Sequence, residues 1–527
     1  MKFKKISKIL VGLMTATFVF VGCGNANKGD ESSAGSKTST QSDTFIYGIE
    51  GDPGNSVNVI TTSDRFGLMQ IKLTYSPLYM YNADGINYFL AESMEESEDH
   101  LTYTAKLKKD VKWSDGEQFT ADDVVFTYNE MLKEENAGWA YSQLIFNGKP
   151  VKIEKVDDYT VNFVLPEVSA PAMELLANIF IMPKHIYEGE SNFANSEKNA
   201  TPVGTGPYIL EEYKAGQYVK FVKNENYFLG KPQISNVIFR TIQDANTAKL
   251  SLQKGEINAL VVQSSDLDGL MNDSLASYTY DEGRIAYMVL NSNSPKLQDK
   301  KVRQAIFYAL NRTDLINAAF GSEEYAAKAY TFLPNENSFH TDNVEKYEYN
   351  LEKAKQLLGE AGVSGLKLKL GYPGTNVPYQ KDAAIIQQNL KAVGIDLELA
   401  AGEDAAISQE MKNAQSTNYD MFLGGYIMGI DPDTFNSLFT SESLFNYSHY
   451  KDTEIDDLFN AGRVETDGAK RQEIYTKIQQ RLQDNAYFYP ILENKRILVM
   501  SSNVAGVEEA KLVPVYTFED MSKLYLK

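Results

Sequence analysis

The sequence predicts an α/β protein built from more than one domain, on three observations. Residues 366–423 repeat a strand–helix–strand–helix–strand pattern. Residues 237–262 hold a second strand–helix–strand unit. The chain of 527 residues is also longer than one hydrophobic core usually supports.

Taken from the start, Lys2, Lys4, Lys5 and Lys8 precede an apolar run from Ile9 to Val21, too short to span a membrane as a mature helix. This is the pattern of a secretory signal, expected over 1–22. Gly22-Cys23 follows, and Cys23 is the one cysteine of the chain. Phe20 to Cys23 resembles a bacterial lipobox, with Phe20 where Leu is usual, and that resemblance implies a lipid on Cys23. Residues 24–43 are polar and small, so 23–43 is expected to be an anchor and a flexible tether. No later run is long and apolar enough to span. The expected location is the outer face of the cell membrane, or its periplasmic side where an outer membrane exists, with membrane contact through the lipid alone.

The net charge is −20, and losing the four lysines of the signal takes it to −24. Such acidity argues against nucleic acid as a partner and against direct binding to anionic lipid. The 33 tyrosines and 26 phenylalanines suit broad, adaptable ligand contacts.

Phe45, Tyr47 and Ile49 alternate as one face of a strand, broken by Asp52-Pro53-Gly54. Phe66–Tyr75 reads as a helix before Pro77, and Leu78 to Tyr81 as an extended segment. Leu101, Tyr103, Ala105 and Leu107 alternate as a half-buried strand, which Val111 and Trp113 continue beyond a turn. Thr120-Ala-Asp-Asp123 has the form of a capping box, and Val124, Val125, Tyr128 and Leu132 form the apolar stripe of its helix. Trp113 reads as core.

Gly204-Thr-Gly-Pro207 lacks the third glycine and the helix of a phosphate loop, and opens a strand instead. Val237–Ile242 and Ala259–Val262 flank a helix over Ala245–Lys254, closed by Gly255. Leu366, Leu368 and Leu370 alternate; a helix over Gln380–Ala392 ends at Gly394; Ile395, Leu397 and Leu399 alternate again. A helix near Asp404–Asn413 leads to the short apolar strand Met421-Phe-Leu423. Lys470–Asp484 is a helix, with strands at Tyr487–Leu492 and Arg496–Met500.

The run from Leu101 to Phe126 resembles the signature of the family 5 extracellular solute-binding proteins, the oligopeptide-, dipeptide- and nickel-binding components of ABC importers. Pro183-Lys-His185, Pro202 to Tyr208, Asn224 to Tyr227, Val302 to Ala305 with Asn311-Arg312, and Ala354 to Gly362 are similar to further blocks of that family, in order. The resemblance implies a two-lobed periplasmic-binding-protein-like fold (type II, cluster C) with an extra inserted domain. It implies a discontinuous first lobe over 44–77, 196–290 and 487–527, an inserted domain over 78–195, and a second lobe over 291–486. It also implies capture of oligopeptides and delivery to permease subunits by a monomer, with no catalysis and no cofactor. A non-peptide solute, such as an oligosaccharide or nickel chelate, and a receptor for a peptide signal stay open.

Enzymatic motifs are absent from the sequence. His100, His185, His340 and His449 are scattered without metal-ligand spacing, and neither a Gly-x-Ser-x-Gly elbow nor a P-loop lysine occurs. Asp431 and Asp433 do not continue into a calcium loop.

The candidate site is Tyr419–Phe435. Gly424-Gly425 is expected to end the strand where backbone can approach a ligand, and Tyr426, Asp431 and Asp433 follow. An ordinary Asp-Pro turn is the other reading of these residues. By resemblance, peptide-binding relatives hold the ligand amine with an aspartate in this loop. That slot falls here on Met428 or Gly429, with Asp431 and Asp433 the nearest carboxylates. Thr62 and Ser63 match the region where relatives contact ligand from the first lobe.

Overall fold

Phe45, Tyr47 and Ile49 point into one core from the strand Thr44–Ile49, the alternation legible in the sequence. The computed structural model describes residues 43–527 apart from 83, 147 and 428. The expected signal segment, Cys23 and nearly all of the expected tether lie outside the described residues, as does Met428.

This strand belongs to an eleven-stranded mixed sheet. From one edge the order is Tyr208–Lys214, Tyr218–Lys223, Asn236–Thr241, Thr44–Ile49, Ala259–Val262, Phe488–Ser501, Leu275–Leu290, Met421–Ile427, Lys367–Pro373 and Asp396–Gly402. Ala326–Lys328 pairs with Phe488–Ser501 off that path. Two central strands are long, with 16 residues in Leu275–Leu290 and 14 in Phe488–Ser501, and they run antiparallel. One end of Phe488–Ser501 pairs with Ala259–Val262, while Arg284 to Leu290 pairs with Met421–Ile427. The long pair thus carries the sheet from one half into the other.

The half containing Thr44–Ile49 packs around Phe45, Tyr47, Phe221, Phe239 and Leu498. The other half is covered on both faces, as a sheet with parallel strands at its centre requires. On one face, helices Lys300–Ala309, Leu351–Glu360 and Val377–Lys391 bury Ile306, Leu357 and Ile386 against Leu370, Leu397 and Leu423. On the other, Asp404–Lys412, Thr453–Val464 and Gly468–Asn485 bury Ile407, Phe459 and Ile478 against Phe422, Tyr426 and Phe488.

A separate antiparallel sheet orders Ala91–Glu96, Thr102–Leu107, Thr160–Val164 and Lys152–Asp157. The helix Ala121–Met131 packs on it through Val124 and Tyr128, and opens with the capping box of Thr120 and Asp123. Trp113 is core, its Nε1 donating to Asp123 Oδ2 at 3.3 Å. Burying a residue such as Phe119 or Phe163 contributes about 1.5–3 kcal/mol. Gly204 and Gly206 seat their loop on the end of the helix Arg65–Thr74. A Cβ on Gly204 would lie 1.8 Å from Thr74 O, and Gly206 N–H donates to that oxygen at 2.8 Å.

Four local expectations change. Val111 to Trp113 does not continue the strand Thr102–Leu107; Lys112 makes only an isolated bridge to Gln118. The helix expected from Gln380 starts at Val377, because the Asn376 side chain accepts Tyr379 N–H at 3.0 Å and caps it. Tyr487–Leu492 and Arg496–Met500 are one strand, Phe488–Ser501, since Glu493 to Lys495 continue the ladder with Arg284, Ile285 and Asp281. Finally, Gly424 and Gly425 lie inside the strand Met421–Ile427 rather than ending it.

Candidate functional site

The long strand Leu275–Leu290 is bulged at its middle. Its register against Phe488–Ser501 shifts between Asp281 and Arg284, and Gly283 takes a left-handed φ of 64° that favours glycine. The bulge sets Glu282 and Arg284 beside a cleft of about 410 Å³. Glu50, Arg65 and the segment after the strand Ala259–Val262 line it from one half of the sheet. Tyr379, Asp382 and Ile427 line it from the other, and Lys495 and Arg496 come from the second long strand.

Three of these charges are paired with one another. Glu282 Oε1 accepts Arg496 Nη1 at 3.1 Å and also pairs with Arg65 Nη2. Arg284 differs: its Nη2 donates to the Tyr379 hydroxyl at 2.7 Å, and no described carboxylate pairs with it. Asp382 lies one turn beyond Tyr379 on the helix Val377–Lys391, on the buried stripe with Ala383 and Ile386. It is 1% exposed, and its Oδ1 has no hydrogen-bond partner. Burial pushes its carboxyl up to about 8, and the charge of Lys381 opposes that.

Strand alternation separates the two residues singled out at Gly425-Tyr426. Gly425 faces Arg284 and Tyr379, which line the cleft. A Cβ there would lie 2.5 Å from Arg284 Nη2 and 2.8 Å from the Tyr379 hydroxyl, so the glycine makes room for their contact. Tyr426 faces away, buried among Tyr287, Phe435 and Phe488, and its hydroxyl donates to Phe332 O. Its ring belongs to the core, which corrects its expected place at a pocket.

The acidic pair is likewise engaged within the protein. Asp431 caps the turn Pro432–Leu438 and holds Arg471 with both oxygens, at 2.6 and 2.7 Å. Asp433 is buried and accepts Arg463 Nε at 3.0 Å. Burial raises its carboxyl, and Arg463 opposes that. Neither aspartate lines the cleft. The sequence could not show this, because both arginines arrive from helices 30–40 positions later. Thr62 is also turned inward, its Oγ1 accepting Asn58 N–H at 3.0 Å, and Ser63 is exposed outside the cleft lining. From that neighbourhood it is Arg65 that reaches the cleft.

One further carboxylate meets the candidate loop. Glu174, from the turn Ala172–Leu175, accepts Ile430 N–H at 2.7 Å and also the N–H of Asp431. A Cβ on Gly429 would collide with its Oε1 at 1.7 Å, which explains the glycine. Burial pushes the Glu174 carboxyl up to about 7, while the two N–H donors oppose that. A lone acid within the apolar run Ala170 to Ala177 was the available signal for it, as an acid on the apolar stripe was for Asp382. Among the described residues no cluster of potential metal ligands occurs, and no helix is long and apolar enough to cross a membrane.

Residues 85–447 match the model of the bacterial extracellular solute-binding proteins, family 5. The chain is 28% identical to the oligopeptide-binding protein AppA of Bacillus subtilis, covering 98% of this chain and 99% of that one. It is 30% identical to the dipeptide-binding protein of Escherichia coli, covering 85% and 89%. Among solved structures, the ABC transporter substrate-binding protein CtaP of Listeria monocytogenes superposes with a TM-score of 0.89 at 41% identity, over 92% of this chain and 99% of that chain. The Bacillus subtilis AppA structure, in complex with a nonapeptide, gives 0.75 at 28% identity over the same shares.

Proposed function

The chain belongs to the family 5 bacterial extracellular solute-binding proteins, substrate-binding components of ABC importers rather than enzymes, and we propose that its solute is a peptide. The observation that carries this reading is the cleft itself. It lies beside the two long strands, takes walls from both halves of the sheet, and offers an acid without a hydrogen-bond donor and a guanidinium without a carboxylate.

Capture would proceed by closure of a first lobe (44–77, 196–290 and 487–527) and a second lobe (291–486) about the long strands, with 78–195 carried as an inserted domain. A peptide touching both walls favours the closed arrangement by as much as its contacts differ between the two states. The closed, loaded form is what a permease would receive. Gly22-Cys23 after the apolar run supports attachment to the outer face of the cell membrane through a lipid on Cys23. Replacing Cys23 with Ala should then release the protein into the medium; retention on cells would remove the lipid from the scheme.

Thermal unfolding with peptides of two to nine residues, with oligosaccharides and with nickel chelates tests the solute. A peptide at about 100 times its dissociation constant stabilises by about 2.7 kcal/mol. Stabilisation by sugars or chelates and by no peptide overturns the proposal.

A further inference from the structure

Asp382 is a carboxylate where the helix pattern asks for an apolar side chain. Its neighbours on the buried stripe of Val377–Lys391 are Tyr379, Ala383 and Ile386. It borders the cleft, yet Oδ1 accepts no hydrogen bond from the protein. A buried carboxylate without a donor is costly to fold, so such a group is retained where something else supplies its partner.

The surrounding charges do not supply one. Arg65 and Arg496 are committed to Glu282. Arg284 is tied to Tyr379, and Lys381, next in sequence, makes no hydrogen bond or ion pair with Asp382. The other titratable groups of the cleft are Glu50, Tyr325 and Lys495, none of which bonds Asp382. The cleft lining therefore includes an acid without a donor and a guanidinium without a carboxylate, and Tyr379, which holds the guanidinium, sits one helical turn before Asp382.

We propose that Asp382 receives the ammonium group of the bound solute, and that Arg284, held by Tyr379, receives a carboxylate of the same molecule. The assignment rests on the peptide reading and sharpens it: the recognised class is a solute with a free amino group, and an acylated amine is disfavoured. Binding then converts a largely protonated Asp382 into a carboxylate paired with the ammonium, and one proton passes to the buffer.

Titration calorimetry on the full chain tests this with trialanine and N-acetyl-trialanine. The wild type should bind trialanine at least tenfold more tightly. Asp382→Asn should lose at least tenfold for trialanine and less than twofold for the acetylated peptide. Repeating the wild-type titration near pH 7 in buffers of different ionisation enthalpy should reveal proton release with trialanine alone, a readout that needs no variant. Equal losses for both peptides, or no proton release, overturn the role of Asp382 while leaving peptide binding intact. Binding of neither peptide by the wild type overturns the peptide reading, and this assignment with it.

Discussion

Glu174 Oε1 accepts the backbone N–H of Ile430 at 2.7 Å, joining positions 256 residues apart in sequence. The second carboxylate oxygen takes the N–H of Asp431. A four-residue turn beside the small sheet is thereby fastened to the loop that follows the strand Met421–Ile427.

This bridge should respond to pH. The Glu174 carboxyl sits near 7 when covered by the loop, above its ordinary 4.5, chiefly because it is buried. The bridged form therefore holds its proton more firmly than an open form would, so bridging is favoured as pH falls through 7 and loses that bias above it. Small-angle scattering of the ligand-free protein should give a smaller radius of gyration at pH 5.5 than at pH 8.5. Glu174→Gln, which mimics the protonated form, should show no such difference. Glu174→Ala removes both acceptors, a loss of about 1–3 kcal/mol from the bridge, and should be more open at both pH values. A radius that does not change with pH or with either variant would refute the bridge as a closing contact.

Asp431 should matter for stability and not for amine recognition. Both of its oxygens are bound by Arg471, whose side chain is only 7% exposed. Asp431→Asn leaves that guanidinium buried without its charge partner, at a cost of about 3–5 kcal/mol in denaturant unfolding. The ratio of affinities for free and acetylated peptides should stay at the wild-type value, in contrast to Asp382→Asn. A selective loss for the free amine would return Asp431 to the ligand.

The two glycines of the strand should part in their effects. An alanine Cβ at 424 would lie 2.7 Å from the ring of Tyr287, which is 2% exposed and packed against Tyr426 and Phe488. Gly424→Ala should destabilise by about 1–3 kcal/mol. At 425 the obstacle is the end of the Arg284 side chain, which can swing aside into the cleft. Gly425→Ala should unfold at nearly the wild-type temperature and weaken peptide binding about tenfold, because Arg284 is parted from Tyr379. Unchanged affinity for Gly425→Ala would show that their contact does not set binding.

Local features were legible in the chain because their causes are local. The capping box at Thr120, the helix closed by Gly255 and the strand–helix alternation from Leu368 to Leu423 depend on residues a few positions apart. Family resemblance along the ordered blocks extended that to the architecture. The site was less legible. Tyr426 and Gly425 are adjacent, and strand alternation sends them to opposite faces, but which face borders the cleft depends on Arg284 and Tyr379, 141 and 46 positions earlier.

By itself, then, the sequence determined the α/β class, the order of most elements and the absence of enzymatic motifs. Tertiary structure alone decided which acids are available. Asp431 and Asp433 look free in the chain and are neutralised by arginines of later helices, whereas Asp382 and Glu174, set among apolar residues, are carried to the cleft wall and to the loop. The physical reason is that a carboxylate's role follows from its burial and its partners, and both are properties of packing between distant segments.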